Sequence, residues 1–188
     1  HLLEHFRFVE LARKVVGVGS VGTRCWIALM TGRDDADPLF LQIKEAGTSV
    51  LATYGGLPRN RYRNHGRRVV EGQRIMQASS DIFLGWDRGP DGSDYYVRQL
   101  RDMKGTADLT TMDAQGLTLY AGVCAWALGL GHARAGDRVA MDAYLGTSDT
   151  FDKALVSFAI DYADQNETDY KLFKKAISSG RIRAASGY

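Results

Sequence analysis

The sequence predicts an α+β fold: a small antiparallel sheet with a packed helix, followed by a helical region. Three observations carry this. Short runs rich in β-branched and aromatic residues recur through residues 23–101, separated by polar turn-forming segments. The run Gly89-Pro90-Asp91-Gly92 between two of them is a hairpin signal. Beyond Gly105 the pattern changes to long apolar stretches with helical spacing. The organisation that follows is a sheet-bearing lobe over residues 1–104 and a helical region over residues 105–188.

In chain order, Leu2, Leu3, Phe6 and Val9 fall on one helical face and predict a helix over residues 2–13. Residues 14–18 are short and β-branched. Residues 23–30 read as a strand and residues 31–38 as an acidic turn. Residues 39–45 form a second strand, with Leu39, Leu41 and Ile43 on one face and Phe40, Gln42 and Lys44 on the other. Residues 57–68 are basic and irregular, and a helix runs from about residue 67 to 79. Residues 81–86 and 95–101 are strands joined by the hairpin. Residues 113–131 are apolar on nearly every face, which predicts a buried helix. An amphipathic helix starts near Phe151, with Ser148, Asp149 and Thr150 as capping side chains. A last helix carries Tyr170, Phe173 and Ile177 and stops at Ser178-Ser179-Gly180, where glycine suits the position after the cap.

Composition narrows the function classes. With 188 residues and 45% hydrophobic content the chain can build a real core. A net charge of +2 gives a weak overall field and argues against a bulk nucleic-acid or membrane-surface binder. The two cysteines, Cys25 and Cys124, are far apart and lack metal-ligand spacing, so neither a zinc site nor a disulfide framework is expected, and a reducing, cytoplasmic location fits. No apolar run reaches transmembrane length; the longest, residues 117–130, contains Gly122 and Gly129. The chain opens at His1 straight into a patterned segment, which reads as a fragment or a processed product.

The chemistry-bearing feature is the run Gly17-Val18-Gly19-Ser20-Val21-Gly22. In a dinucleotide-binding fold such a run opens a helix; here a strand follows. A strand–turn–strand with three glycines is the arrangement by which protein kinases let backbone N–H groups approach phosphate oxygens. The bland reading is a tight hairpin. Lys44, on the next strand in an apolar context, is the candidate to neutralise the phosphates, against the bland reading of a solvated lysine. Glu71, on the next helix, is the candidate to orient it, against that of a surface carboxylate.

Other polar clusters carry less. His132 and Asp137 superficially resemble a phosphotransferase catalytic loop, but position 142 is an aspartate where an asparagine is needed, and a helix end is the favoured reading. The cluster Arg59, Arg61, Arg63, His65, Arg67 and Arg68, with Tyr62 inside it, raises phosphate or RNA binding as an alternative to the favoured solvated loop. Asp34, Asp35 and Asp37 lack EF-hand spacing and read as turn residues; Asp161, Asp164, Glu167 and Asp169 cluster between two helices, where a solvated loop is favoured over a cation site.

Several stretches match a known pattern: residues 15–25 around the glycine run, 37–46 around Lys44, Gln77-Ala78-Ser79-Ser80-Asp81-Ile82-Phe83-Leu84-Gly85-Trp86, Tyr96-Val97-Arg98-Gln99-Leu100-Arg101-Asp102-Met103-Lys104-Gly105, and Tyr162-Ala163-Asp164-Gln165-Asn166. Together they resemble the bacterial domain-of-unknown-function family 2252 over nearly the whole chain. Members are longer and look distantly related to protein kinases and aminoglycoside phosphotransferases, with the kinase order permuted.

The resemblance implies that this chain corresponds to the carboxy-terminal half. The catalytic-loop-like and metal-binding-like carboxylates would lie in the amino-terminal half. It also implies a protein-kinase-like fold, with ATP and Mg2+ as cofactors of the full-length parent, and Gly17, Gly19, Ser20, Gly22 and Lys44 as phosphate contacts. The backbone of Gln99, Leu100 and Arg101 would meet the adenine. The parent reads as a phosphotransferase acting on an unknown small molecule, this chain alone as inactive. The rivals are a non-catalytic pseudokinase-like binding module and an RNA-binding domain. The expected partners are a nucleotide, the missing half and, through an uncovered apolar face, a second copy of the chain; no catalytic residue and no metal ligand is assigned.

Overall fold

A computed structural model describes residues 2–14, 22–55, 62–100 and 105–184. The chain divides into two compact units, His1–Gly136 and Asp137–Tyr188. The first begins with a 3-10 turn, Leu2–His5, and continues through β1 (Arg7–Arg13), β2 (Cys25–Thr31), β3 (Pro38–Glu45), α1 (Val50–Tyr54), α2 (His65–Met76), β4 (Gly85–Arg88), β5 (Asp94–Gln99) and α3 (Ala114–Ala135). The second holds α4 (Arg138–Leu145) and α5 (Thr150–Ser178).

The helix expected over residues 2–13 is instead a short 3-10 turn and an edge strand. β1 pairs antiparallel with β2, from Arg7 opposite Thr31 to Arg13 opposite Trp26, with an irregularity between Phe8 and Glu10. Every residue of β1 is exposed. Its place is therefore set by main-chain pairing rather than by a buried side-chain stripe, which is why hydrophobic spacing misread it.

The five strands form one antiparallel sheet in the order β1-β2-β3-β5-β4. The predicted hairpin joins β4 to β5: Gly89 N–H donates to the Ser93 carbonyl at 2.8 Å, and Gly92 takes φ +78°, a conformation glycine adopts without strain. One face of the sheet carries the core. Ala28, Leu39 and Leu41 are buried there, and Phe6, Met30, Ile43, Phe83 and Val97 pack on them. Phe6 meets Phe83 edge to face with centroids 5.9 Å apart. The predicted alternation of β3 holds, with Leu39, Leu41 and Ile43 toward this core.

The opposite face bears the register row Cys25, Lys44, Tyr96 and Trp86, and beside it the pair Gln42 and Arg98. α2 packs over β4 and β5 on this face. Arg67 and Arg74 lie over the Trp86 ring at 5.4 and 5.8 Å, and Val70 is fully buried. The helix starts at His65 and stops at Met76, two residues earlier than expected at its start and three at its end. Asn64 caps it, its side-chain oxygen accepting from Arg67 N–H at 2.9 Å. At Gly66 an added Cβ would sit 2.6 Å from the Tyr95 carbonyl carbon, so only glycine lets the helix approach β5 this closely.

Two helical expectations need correction. The segment expected to be buried does form α3, capped by Asp113, but its apolar side chains face outward: Leu119 is 71% and Trp126 68% exposed. Its one buried residue is Gly131, whose Cα side lies against Met76 of α2. The two helices expected after residue 150 are a single 29-residue helix, α5. Asp161, Asp164, Glu167 and Asp169 are therefore helical, not a loop. Helical neighbours bridge the acidic stretch: Lys171 pairs with Glu167 at 2.9 Å, and Gln165 donates to Asp169 at 2.8 Å. α5 ends as predicted, with Gly180 at φ +73° just past its cap. Among the described residues, no helix is long and apolar enough to cross a membrane.

Candidate functional site

Lys44 sits near the end of β3, opposite Cys25 of β2 on one side and Tyr96 of β5 on the other. Its side chain is half-buried, and among the described residues it forms no ion pair with a carboxylate. Gly22, at φ +83°, lies in the connection from β1 to β2, just before Cys25. The glycine run therefore belongs to a strand–connection–strand unit whose return strand starts beside the lysine. Gly17, Gly19 and Ser20 lie outside the described residues, as does Arg101.

Glu71 lies on α2, on the same side of the sheet, but its carboxylate is 3.8 Å from Arg67 and 3.7 Å from Arg74. The structure gives it to these helical neighbours rather than to Lys44. That partnership was legible: Arg67 precedes Glu71 by one helical turn and Arg74 follows it by nearly one. At the end of β5, Gln99 N–H donates to the Asp81 carboxylate at 2.6 Å and Leu100 N–H to the Phe40 carbonyl at 2.8 Å. Among the described residues of this predicted base contact, both main-chain N–H groups are thus engaged within the fold.

The remaining clusters resolve into structural roles. Arg134 donates to the Ile75 and Met76 carbonyls at 3.2 and 3.5 Å, so it satisfies the open C-terminal end of α2, not of its own helix. Asp137 caps α4, accepting from Val139 and Ala140 N–H at 3.0 Å each. In the basic cluster, Arg67 is stacked between Tyr62 and Trp86, and Arg68 donates to the Gly47 carbonyl at 3.0 Å. Arg59 and Arg61 lie outside the described residues. Asp34 and Asp37 hold their own turn through Ala36 and Arg33 N–H at 3.0 Å each. Among the described residues, no three His, Cys, Asp or Glu come together as a metal site.

Sequence reasoning missed the network behind this end of the sheet. Arg24, on the core side, bonds the Glu45 carboxylate through Nε at 2.9 Å, the Ser93 hydroxyl at 2.6 Å, and Asp91. It thereby fastens the β2–β3 ladder to the β4–β5 turn. The Arg24 guanidinium holds the Glu45 carboxyl below the usual carboxylate range; Ser93 N–H, with Arg24, does the same for Asp91. Arg24 and Asp91 are distant in sequence, and no local spacing announces their contact.

A single antiparallel sheet flanked by helices, with a glycine-bearing connection and a lysine at one end, defines a mixed α+β protein. The chain belongs to the domain-of-unknown-function family 2252, described as an uncharacterised protein conserved in bacteria, whose family model matches residues 1–176. No curated protein and no solved structure matches it.

Proposed function

We propose that this chain is the phosphate-binding half of a kinase-like, ATP-dependent phosphotransferase. One observation carries the reading: the connection that contains the glycine run returns into the sheet at Cys25, whose register partner is Lys44. An ammonium group without a carboxylate partner among the described residues thus stands at the sheet end to which that connection returns. Kinases use the same parts in the same order: a glycine loop between the first two strands, a lysine on the third, and a helix after it.

In this reading the backbone N–H groups of residues 17–22 cradle the phosphates, and Lys44 neutralises charge on them. Glu71, held by Arg67 and Arg74, would have to change partners to reach Lys44. Asp137 is occupied as a helix cap, so the proton-accepting carboxylate and the ligands of any magnesium ion come, in this proposal, from residues beyond this chain. The chain by itself then binds a nucleotide without turning it over, as a pseudokinase-like module would.

Calorimetry with ATP and magnesium on the chain and on Lys44→Ala tests this. Micromolar-range binding that Lys44→Ala weakens about tenfold or more, as loss of a charged hydrogen bond predicts, supports the site. Absence of binding by the unaltered chain, or equal binding by both, removes it.

A further inference from the structure

Among the described residues two polar side chains are buried in the first unit, Asp94 and Gln42. Asp94 is explained by its grip on α2. Gln42 is not: it lies at 4% exposure on the same sheet face as Lys44, one alternation back along β3. Its amide oxygen accepts from Arg98 twice, from Nε at 3.1 Å and from Nη2 at 2.9 Å. Its amide nitrogen points to the Cys25 sulfur at 3.7 Å. The buried glutamine thus gives its acceptor oxygen to one guanidinium.

That guanidinium is held by a neutral group. Gln42 is a neutral acceptor, and among the described residues Arg98, like Lys44, forms no ion pair with a carboxylate. A half-buried cation without a counter-charge is costly, and a second one nearby adds repulsion. The register sets the spacing: Lys44 is opposite Tyr96 and Gln42 opposite Arg98, so Lys44 and Arg98 are diagonal neighbours on adjacent strands. Such positions are about 7–8 Å apart, within reach of long side chains. Arginine has five N–H donors, and only two bonds to Gln42 are formed, so several remain for a ligand.

We propose that Arg98, held in place by Gln42, is a second cation of the site and binds a phosphate adjacent to the one at Lys44, so that this face selects ligands with two or more linked phosphates. The proposal rests on the phosphate reading of Lys44 and adds the ligand class, a polyphosphate, and the positioning residue Gln42. Bidentate donation from a fixed guanidinium matches phosphate geometry, whereas the lysine acts as a point charge.

Inorganic tripolyphosphate is the probe, titrated calorimetrically beside inorganic phosphate and magnesium-ATP. The chain is compared with Arg98→Gln, Gln42→Glu and Lys44→Ala. Gln42→Glu keeps size and acceptor but neutralises Arg98, so it weakens tripolyphosphate binding about tenfold or more while thermal melting shows an intact fold. Arg98→Gln does the same, and inorganic phosphate binds more weakly than tripolyphosphate. Should Arg98→Gln fail to fold, Gln42→Glu alone decides. Undiminished binding by Gln42→Glu, with Lys44→Ala still deficient, overturns the role of Arg98 and leaves the phosphate site at Lys44 standing. Arg98-dependent tripolyphosphate binding with no binding of ATP supports the two-cation face and removes the nucleotide. No binding of any probe overturns both.

Discussion

The carboxylate of Asp94, on β5, accepts the main-chain N–H of His65, the first residue of α2, at 2.8 Å. The same carboxylate takes the Asn64 side-chain amide at 3.0 Å and Arg88 Nε at 2.9 Å. One buried anion thus satisfies an open donor at the helix start, the capping residue and a neighbouring arginine. It fixes where α2 lies against the sheet, and with it the position of Glu71 relative to Lys44.

Asp94→Ala removes an acceptor that is charged and buried, leaving His65 N–H and the Asn64 amide to find water. The expected cost is about 1.5–3 kcal/mol, read as a lower urea midpoint at unchanged slope. Asp94→Asn, which keeps one acceptor oxygen, loses less. Equal midpoints for Asp94→Ala and the unaltered chain would show that α2 is held by Val70 packing alone.

Acid sensitivity follows from three carboxyls. Burial raises the Asp94 carboxyl, but His65 N–H and Arg88 more than offset it, so it titrates below its ordinary value; Glu45 and Asp91 are lowered as well. A depressed folded-state value means stability that is complete above the unfolded-state range, near pH 4, and is lost as pH falls through the folded values. Denaturation midpoints measured from pH 6 to pH 2 are expected to fall below about pH 4, and Asp94→Asn flattens part of that fall. A midpoint that rises on acidification contradicts the assignment.

Gly66→Ala puts a methyl group against the Tyr95 carbonyl, a main-chain atom that cannot swing aside. Overpacking of this kind costs about 1–3 kcal/mol. Gly72→Ala, on the same helix and with nothing within 4 Å of the added carbon, is the control and is expected to be neutral or stabilising. Melting both variants separates steric exclusion from helix propensity.

Much of the sheet was legible because β2, β3, β5 and the turn before β5 announce themselves locally, through β-branched runs, alternation and a turn sequence; the strand expected over residues 81–86 instead runs Gly85–Arg88, a sequence with no β-branched residue. β1 did not, because its side chains are all exposed and its pairing is carried by the main chain. α5 was split in two because an acidic stretch resembles a loop until the pairings one turn apart are counted. Burial of α3 was inferred from its apolarity alone, which specifies what a helix needs but not what this chain places around it. In the candidate site, Lys44 and the glycine connection were nominated from motif order. Arg98 was not, because its relation to Lys44 depends on β3 and β5 being neighbours, although β4 precedes β5 in sequence.

The two cysteines sit in opposite environments: Cys25 is 2% exposed beside Lys44, and Cys124 is exposed on α3. Reaction with a thiol reagent should therefore proceed in two phases, one sulfhydryl consumed promptly and the other only as fast as the paired ends of β2 and β3 separate. The slow phase times the opening of the strand end at which phosphate is proposed to bind, with no added probe. A ligand seated there slows that phase and leaves the fast one unchanged, which turns occupancy of the site into a reaction rate.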